Sequence, residues 1–446
     1  MALDRDSLEI LARALGQLDG GFSHLPEFAP AASGNERLEE VLLALARKLQ
    51  DNYPYFHPLY AGQMLKPPHP VARLAYSLAM YVNPNNHALD GGRATSALEK
   101  EAVAEIAAMF GWKEFLGHLA GGGTMANLEA LWVAGRLGPG RTIVASEQAH
   151  YTHHRISSVL QIPFEKIETD RFARMDMDAL EKRLARGDVG TVVASMGTTA
   201  TGSVDPLPEI LQLREKYEFR VHADAAYGGY FALTSNLGEK AAASFARIGE
   251  ADSIVIDPHK HGLQPYGCGC VVFCDPGVGR LYKHDSPYTY FSSAELHLGE
   301  ISLECSRPGA AAAALWATQK LLPLERGGEL ARGLEKGREA ALQFYRAVKD
   351  GEIFDAAFQP ELDILCFVPR GGSLGEISAK SRRIFHAAAR EGLHLAVAEL
   401  PARFWPRLGR ESGRETVACL RSVLMKPEHL AWMPEVLARL KRAARA

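Results

Sequence analysis

The sequence predicts an α/β fold: a mainly parallel central sheet covered by helices, followed by a smaller C-terminal α+β domain. Three observations predict it. Between Thr95 and Cys274, short apolar runs alternate with stretches of helical periodicity, the pattern of parallel strands joined by crossover helices. The apolar runs TIVAS, TVVAS, SIVID and GCVVFC are nearly continuous, as strands buried on both faces read. Beyond Glu304 the chain turns helical and then mixes strand and helix patterns.

Taken in order, LEILARALGQL and Glu36–Leu49 carry helical periodicity, and the Tyr/Pro/His-rich stretch NYPYFHPLYAGQMLKPPHP is too rich in proline for regular helix. TSALEKEAVAEIAAMFG reads as a helix opened by a capping box, Ser96 with Glu99. A helix over 125–136, strand TIVAS, helix DMDALEKRLARG and strand TVVAS follow. Next come helix PLPEILQLREKY and the strands FRVHAD, SIVID and GCVVFC. The remainder reads as a helix beginning near Gly309, a helix over 328–349, strand DILCFVPR, helix SAKSRRIFHAAAREG, strand ETVACLRSVLM and a closing helix. Pro, Gly and charge cluster at Leu322–Gly328, which predicts three parts: 1–75, 76–322 and 323–446.

The 446 residues are 47% hydrophobic, enough for a large core, and 50 basic residues balance 53 acidic ones for a net charge of -3. That balance leaves no broad cationic face for nucleic acid or an anionic membrane. The opening MALDRDSLEI lacks a signal-peptide pattern and no apolar run is long enough to span a bilayer, so a cytoplasmic location is expected. The six cysteines show no regular framework; they read as reduced structural thiols, with no metal site expected.

The strongest chemical signal is SIVIDPHKHG, where a strand ends and Lys260 appears in a short polar turn between His259 and His261. Most lysines are simply solvated; the company of this one sets it apart. In FRVHADAAYGGYF a strand delivers Asp224 at its carboxyl end, followed by Ala225, Ala226, Gly228 and Gly229. Ligands in such sheets bind beyond the carboxyl ends of the strands, so Asp224 and Lys260 can share one crevice. A carboxylate there can keep a pyridine nitrogen protonated, and small residues let a flat ring approach. In isolation, Asp224 would read as a turn or helix-cap aspartate. In GHLAGGGTMANLEALWVAGR, Gly121–Gly123 and Thr124 open a helix whose free N–H groups suit a phosphate. This is not the dinucleotide pattern G-x-G-x-x-G, which counts against a nicotinamide dehydrogenase. SEQAHYTHH offers His150 for stacking on a ring, with His153 and His154 reading as ordinary helix residues; SMGTTATGSVDP offers Thr198 and Thr199 as hydrogen-bonding hydroxyls.

In this order, GGGT, S-x-Q-A-H, GTT-x-T-G-x-x-D, H-x-DAAYGG and DPHKH resemble the motif series of the group II pyridoxal-5′-phosphate (PLP)-dependent amino-acid decarboxylases. That family includes the aromatic L-amino-acid, glutamate and histidine decarboxylases and the archaeal tyrosine/aspartate enzymes. The resemblance runs from about Asn83 to Gly269, weakens over 280–310 and returns at ETVACLRSVLM. It implies the fold-type I, aspartate aminotransferase-like architecture. It also implies a homodimer with active sites at the subunit interface, and release of CO₂ and an amine from an amino acid. By the same resemblance, Lys260 carries the cofactor, Asp224 pairs with its ring nitrogen, and His150 and Ala226 lie on the two ring faces. Gly123, Thr124 and His259 reach the phosphate. Arg421 in CLRSVLM corresponds to the arginine that clamps the substrate α-carboxylate, and Tyr288 or Tyr290 in HDSPYTYFSSAE to the proton donor.

Two stretches depart from the best-known aromatic-acid enzymes. NPNNHALDGGRATSALEKE replaces a shorter turn, and ISLECSRPG is closer to the glutamate and archaeal branches. The aromatic stretch Tyr53–Tyr60, with His57 and Tyr60, is expected to line part of the substrate site. That fits an aromatic side chain such as tyrosine, although Tyr and His also bind acidic ones such as glutamate or aspartate. The rival reactions are a PLP-dependent carbon–carbon lyase and an aldehyde-forming oxidative decarboxylase. A non-catalytic scaffold would be expected to lose Lys260 or Asp224, and both are present.

Overall fold

A computed structural model of the chain describes residues 5–26, 37–283, 301–408 and 415–445. Its central sheet has seven strands: β1 (Leu116–Ala120), β2 (Thr142–Ser146), β3 (Phe164–Ile167), β4 (Val189–Ser195), β5 (Arg220–Asp224), β6 (Ser253–Ile256) and β7 (Gly269–Phe273). Their order across the sheet is β1-β7-β6-β5-β4-β2-β3. Strands β2 to β6 pair in parallel, whereas β7 runs antiparallel to both β1 and β6.

Alternate side chains of these strands enter different cores, as the two-residue period of a strand requires. Val192, Ala194, Ile254 and Ile256 face a core built with Val103 and Ile106 of helix Leu89–Met109 and Ile210 of helix Leu207–Tyr217. Val255 and Val271 face the opposite side, against Ala126, Ala130 and Val133 of helix Gly123–Leu137. Both faces are thus buried, which is why the strand sequences are nearly continuous apolar runs. Four further strands form an antiparallel sheet in the order β10-β11-β9-β8: β8 (Phe354–Ala356), β9 (Ile364–Pro369), β10 (Ala396–Pro401) and β11 (Thr416–Val423). Phe344, Phe367, Leu420 and Met433 fill the core between this sheet and its helices. The fold is therefore α/β with a mainly parallel sheet and a smaller C-terminal α+β part, as the sequence predicts.

One sequence-based expectation is corrected. Ser96 and Glu99 form no capping box, because their helix begins at Leu89 and both residues are buried within it. Gly92 breaks the helical geometry near that start, so the periodicity became readable only beyond it. A capping box does occur at Ser373 and Glu376, opening helix Leu374–Arg390. Glu99 serves a different purpose. It accepts the Leu119 N–H at 2.9 Å and the Asn86 amide at 2.7 Å, and it pairs with Arg307. This pair is buried on both sides, so Glu99→Ala would strand a guanidinium without its anion. The expected loss is about 3–5 kcal/mol of unfolding free energy, read by urea denaturation.

Candidate active site

The carboxyl ends of β1, β2, β4, β5 and β6 converge on one cleft of about 470 Å³. Such a cleft is where an open parallel sheet binds its ligands. The cleft is lined by Gly123, Thr124, His150, Thr198, Thr199, Asp224, Ala226, His259 and Lys260. Every residue expected to hold the cofactor is therefore at one place.

Asp224, the last residue of β5, is buried. One of its oxygens, Oδ1, accepts the Ala226 N–H at 3.2 Å; the other, Oδ2, lies 2.7 Å from His153 Nε2. Burial by itself would raise the proton affinity of this carboxyl. The His153 hydrogen bond and the nearby Lys260 charge outweigh burial and hold it well below the usual range. The cleft thus contains a buried, ionised carboxylate. Ala226, two residues on, adds no bulk beside it.

Lys260 sits in the turn after β6, with Nζ 3.0 Å from Asp257 Oδ2. The Asp257 side chain is buried and its Oδ1 has no partner among the described residues. His259 donates from Nδ1 to the Cys268 carbonyl at 2.8 Å and turns Nε2 toward Asp257 Oδ2 at 3.6 Å. Burial pulls the His259 pKa down, leaving a neutral ring on the cleft wall. At the end of β2, His150 is likewise shifted down, chiefly by burial. Its Nδ1 lies 2.7 Å from the Thr152 hydroxyl, which orients the ring.

Beyond β1 the chain passes through Gly121 and Gly122 into helix Gly123–Leu137. Gly122 has φ +145° and no side chain caps the helix, so its first N–H groups face the cleft unpaired by side chains. A carboxylate already occupies the edge of this cup: Glu304 accepts the Gly121 N–H at 2.7 Å. That contact marks the loop as an anion site and also places a competing negative charge beside it. Glu304→Gln is therefore expected to tighten PLP binding severalfold, measured by equilibrium titration of the apoprotein.

Thr198 is buried and its hydroxyl is shared with Thr201 at 2.8 Å, whereas Thr199 is exposed at the rim. Ser195, at the end of β4, lines the cleft with a buried hydroxyl that has no partner. Arg421, His57 and Tyr60 are not among the lining residues. The Arg421 guanidinium is buried behind the rim, donating to the carbonyls of Thr199 at 2.6 Å, Ala200 at 2.9 Å and Gly62 at 3.2 Å. Tyr60 is stitched to the small domain: it bridges His394, and its carbonyl accepts from Lys426 at 2.7 Å. His57 packs edge-on against Trp432. Tyr288 and Tyr290 lie outside the described residues.

Sequence reasoning missed four groups: His153, Asp257, Ser195 and Glu304. His153 reads as a plain helix residue, yet it lies in the first turn of helix Thr152–Val159, three residues after His150. Asp257 and Ser195 were legible as strand-end polar residues of the same kind as Asp224. Glu304 carried no signal, because its contact with Gly121 spans more than 180 residues.

The cleft fits PLP on its own geometry. It presents an anion cup, a buried ionised carboxylate, a small residue, a neutral imidazole, an orphaned hydroxyl and a lysine amine. Comparison with known proteins agrees. Residues 133–370 match the pyridoxal-dependent decarboxylase conserved domain. A probable L-tyrosine/L-aspartate decarboxylase of Methanothrix thermoacetophila is 32% identical over 63% of this chain and 70% of that protein. An L-tyrosine decarboxylase of Enterococcus faecium is 28% identical over 68% of each. The crystal structure of mouse CSAD superposes with a TM-score of 0.79 at 19% identity over 99% of both chains, which shows a shared fold. The chain belongs to the pyridoxal-dependent decarboxylase family and is a carboxy-lyase that uses pyridoxal 5′-phosphate.

Proposed function

We propose that the protein decarboxylates an L-amino acid with an aromatic or acidic side chain, tyrosine and aspartate being the first candidates. The observation that carries this reading is the single cleft in which Lys260, Asp224, His150 and the glycine cup meet. Bound PLP supplies an electron sink for the pair of electrons left by the departing carboxylate. In our reading the chain's own groups do the rest. The Gly122–Thr124 amides, the Thr124 hydroxyl and His259 hold the phosphate. Asp224 holds a proton on the ring nitrogen, and His150 and Ala226 fix the ring plane. Lys260, with the Asp257 carboxylate 3.0 Å from its amine, is the covalent carrier. Arg421 orients the substrate carboxylate once its carbonyl partners release it, and Tyr288 or Tyr290 returns the proton to the substrate carbon.

The proposed assembly is a homodimer. Helices Arg5–Gly20 and Leu38–Leu49 bury no residue within the chain. They expose Leu8, Ile10, Leu38, Val41, Leu42 and Leu45, a patch that calls for a partner surface. The cluster of Tyr53, Tyr55, Tyr60 and His394 rings, with centroids 5.0–6.3 Å apart, lies outside its own chain's cleft. In a dimer it would line the partner's substrate site. The two sheets lie on either side of Leu322–Gly328, which supports the division into 76–322 and 323–446. No helix among the described residues is long and apolar enough to cross a membrane, in keeping with the proposed cytoplasmic location.

The test is reconstituted enzyme offered tyrosine, aspartate and glutamate separately, with amine and CO₂ quantified. Equal amounts of both from one of these acids would support the proposal. A cofactor band that responds to amino acids without CO₂, or an aldehyde product, would overturn it.

A further inference from the structure

Asp224 has a neighbour that the proposed chemistry leaves unused. His153 lies on helix Thr152–Val159, wholly buried, with Nε2 2.7 Å from Asp224 Oδ2. An ionised carboxylate has no proton to give, so Nε2 carries it and donates. Among the described residues the other ring nitrogen, Nδ1, is buried without a partner, so the one hydrogen bond the His153 side chain makes there is aimed at Asp224. Behind it lies His222 of β5, its ring centroid 6.3 Å away, locked between Ser253 Oγ and Asn127 Oδ1 at 2.8 Å each. Burial drives the His222 pKa down to about 3, so this ring stays neutral and brings no competing charge.

We propose that His153 is a positioning residue for the reaction: its Nε2–H fixes the orientation of Asp224 and keeps that carboxylate ionised toward the cofactor's ring nitrogen. A carboxylate offers about four lone-pair sites. His153 and the Ala226 N–H each take one, which leaves lone pairs for the ring. The hydrogen bond lowers the proton affinity of Asp224, so the shared proton rests on the ring nitrogen, where it strengthens the electron sink. The inference rests on the reading of Asp224 as the partner of that nitrogen.

The test compares His153→Leu, His153→Gln and Asp224→Ala in protein reconstituted with PLP. In His153→Leu, kcat is expected to fall about 10- to 100-fold, the usual effect of removing an outer-shell partner, with KM essentially unchanged. The visible absorption band of the bound cofactor shifts, and the apoprotein binds PLP more weakly. His153→Gln, whose amide N–H reaches the same oxygen, restores most of the band and the turnover. In the apoprotein, ¹⁵N spectra are expected to show His153 protonated at Nε2, with a signal that moves in Asp224→Asn. This readout holds even if the leucine variant does not fold. A His153→Leu enzyme with unaltered band, PLP affinity and kcat per folded molecule, alongside an impaired Asp224→Ala, would overturn the role of His153 alone. If Asp224→Ala is equally unaltered, the reading of Asp224 itself fails.

Discussion

Replacing Lys260 with alanine is expected to reduce CO₂ release by about 10³-fold or more, roughly 4 kcal/mol of barrier or greater, and to abolish the visible band of the bound cofactor. The effect is large because the amine has two tasks that no neighbouring group can assume. In the proposed chemistry it carries the cofactor covalently, a role that needs an uncharged amine nucleophile. It also pairs at 3.0 Å with Oδ2 of Asp257, whose buried Oδ1 has no partner among the described residues. Lys260→Arg separates the two tasks. The guanidinium retains the pairing with Asp257 but cannot form the covalent link, so activity and the band stay lost while the apoprotein melts near wild type. In Lys260→Ala the unpaired Asp257 carboxylate should cost about 1–3 kcal/mol, visible as a lower melting temperature. A Lys260→Ala enzyme with appreciable turnover would remove the basis for placing the chemistry at this turn.

The second large effect is expected at Asp224. Asp224→Ala should bind PLP weakly and turn over about 10³-fold more slowly while remaining folded. Among the described residues its carboxylate is held only by His153 Nε2 and the Ala226 N–H, and the strand that carries it is held by backbone pairing with β4 and β6. Asp224→Asn should be nearly as impaired, since a neutral amide neither balances the charge of a protonated ring nitrogen nor keeps the proton there. Cofactor titration followed by absorbance, with circular dichroism as the folding control, checks both variants. Near-normal turnover by Asp224→Ala would count heavily against the assignment.

What the sequence revealed and what it hid have physical reasons. Strands β2, β4, β6 and β7 were legible because burial on both faces leaves continuous apolar runs. β1 was not, since LGHLA carries a buried histidine; His118 is tolerated there because Glu129 of the following helix meets it at 2.8 Å. β3 and β10 lie at sheet edges, where FEKI is half charged and AVAELP carries Glu399 and ends in proline, so neither shows a clean apolar run. The helix Pro70–Met80 was hidden by the prolines that precede it, although Pro at a first helical position is favourable. The proposed cofactor residues were legible because they stand at strand ends, beside small residues or within short motifs. The substrate side was less so. Arg421, Tyr60 and His57 are placed by contacts with segments more than 200 residues away, and Tyr288 and Tyr290 fall outside the described residues.

The central claim is that Lys260 carries PLP within this cleft. The measurement that tests it most directly is borohydride reduction of the PLP-loaded enzyme, followed by proteolysis and mass mapping of the labelled peptide. The account predicts one phosphopyridoxyl group per chain, on the peptide containing Asp257–His261 and localised to Lys260. A label on another lysine, or none in a protein that still releases CO₂ from its substrate, would contradict it.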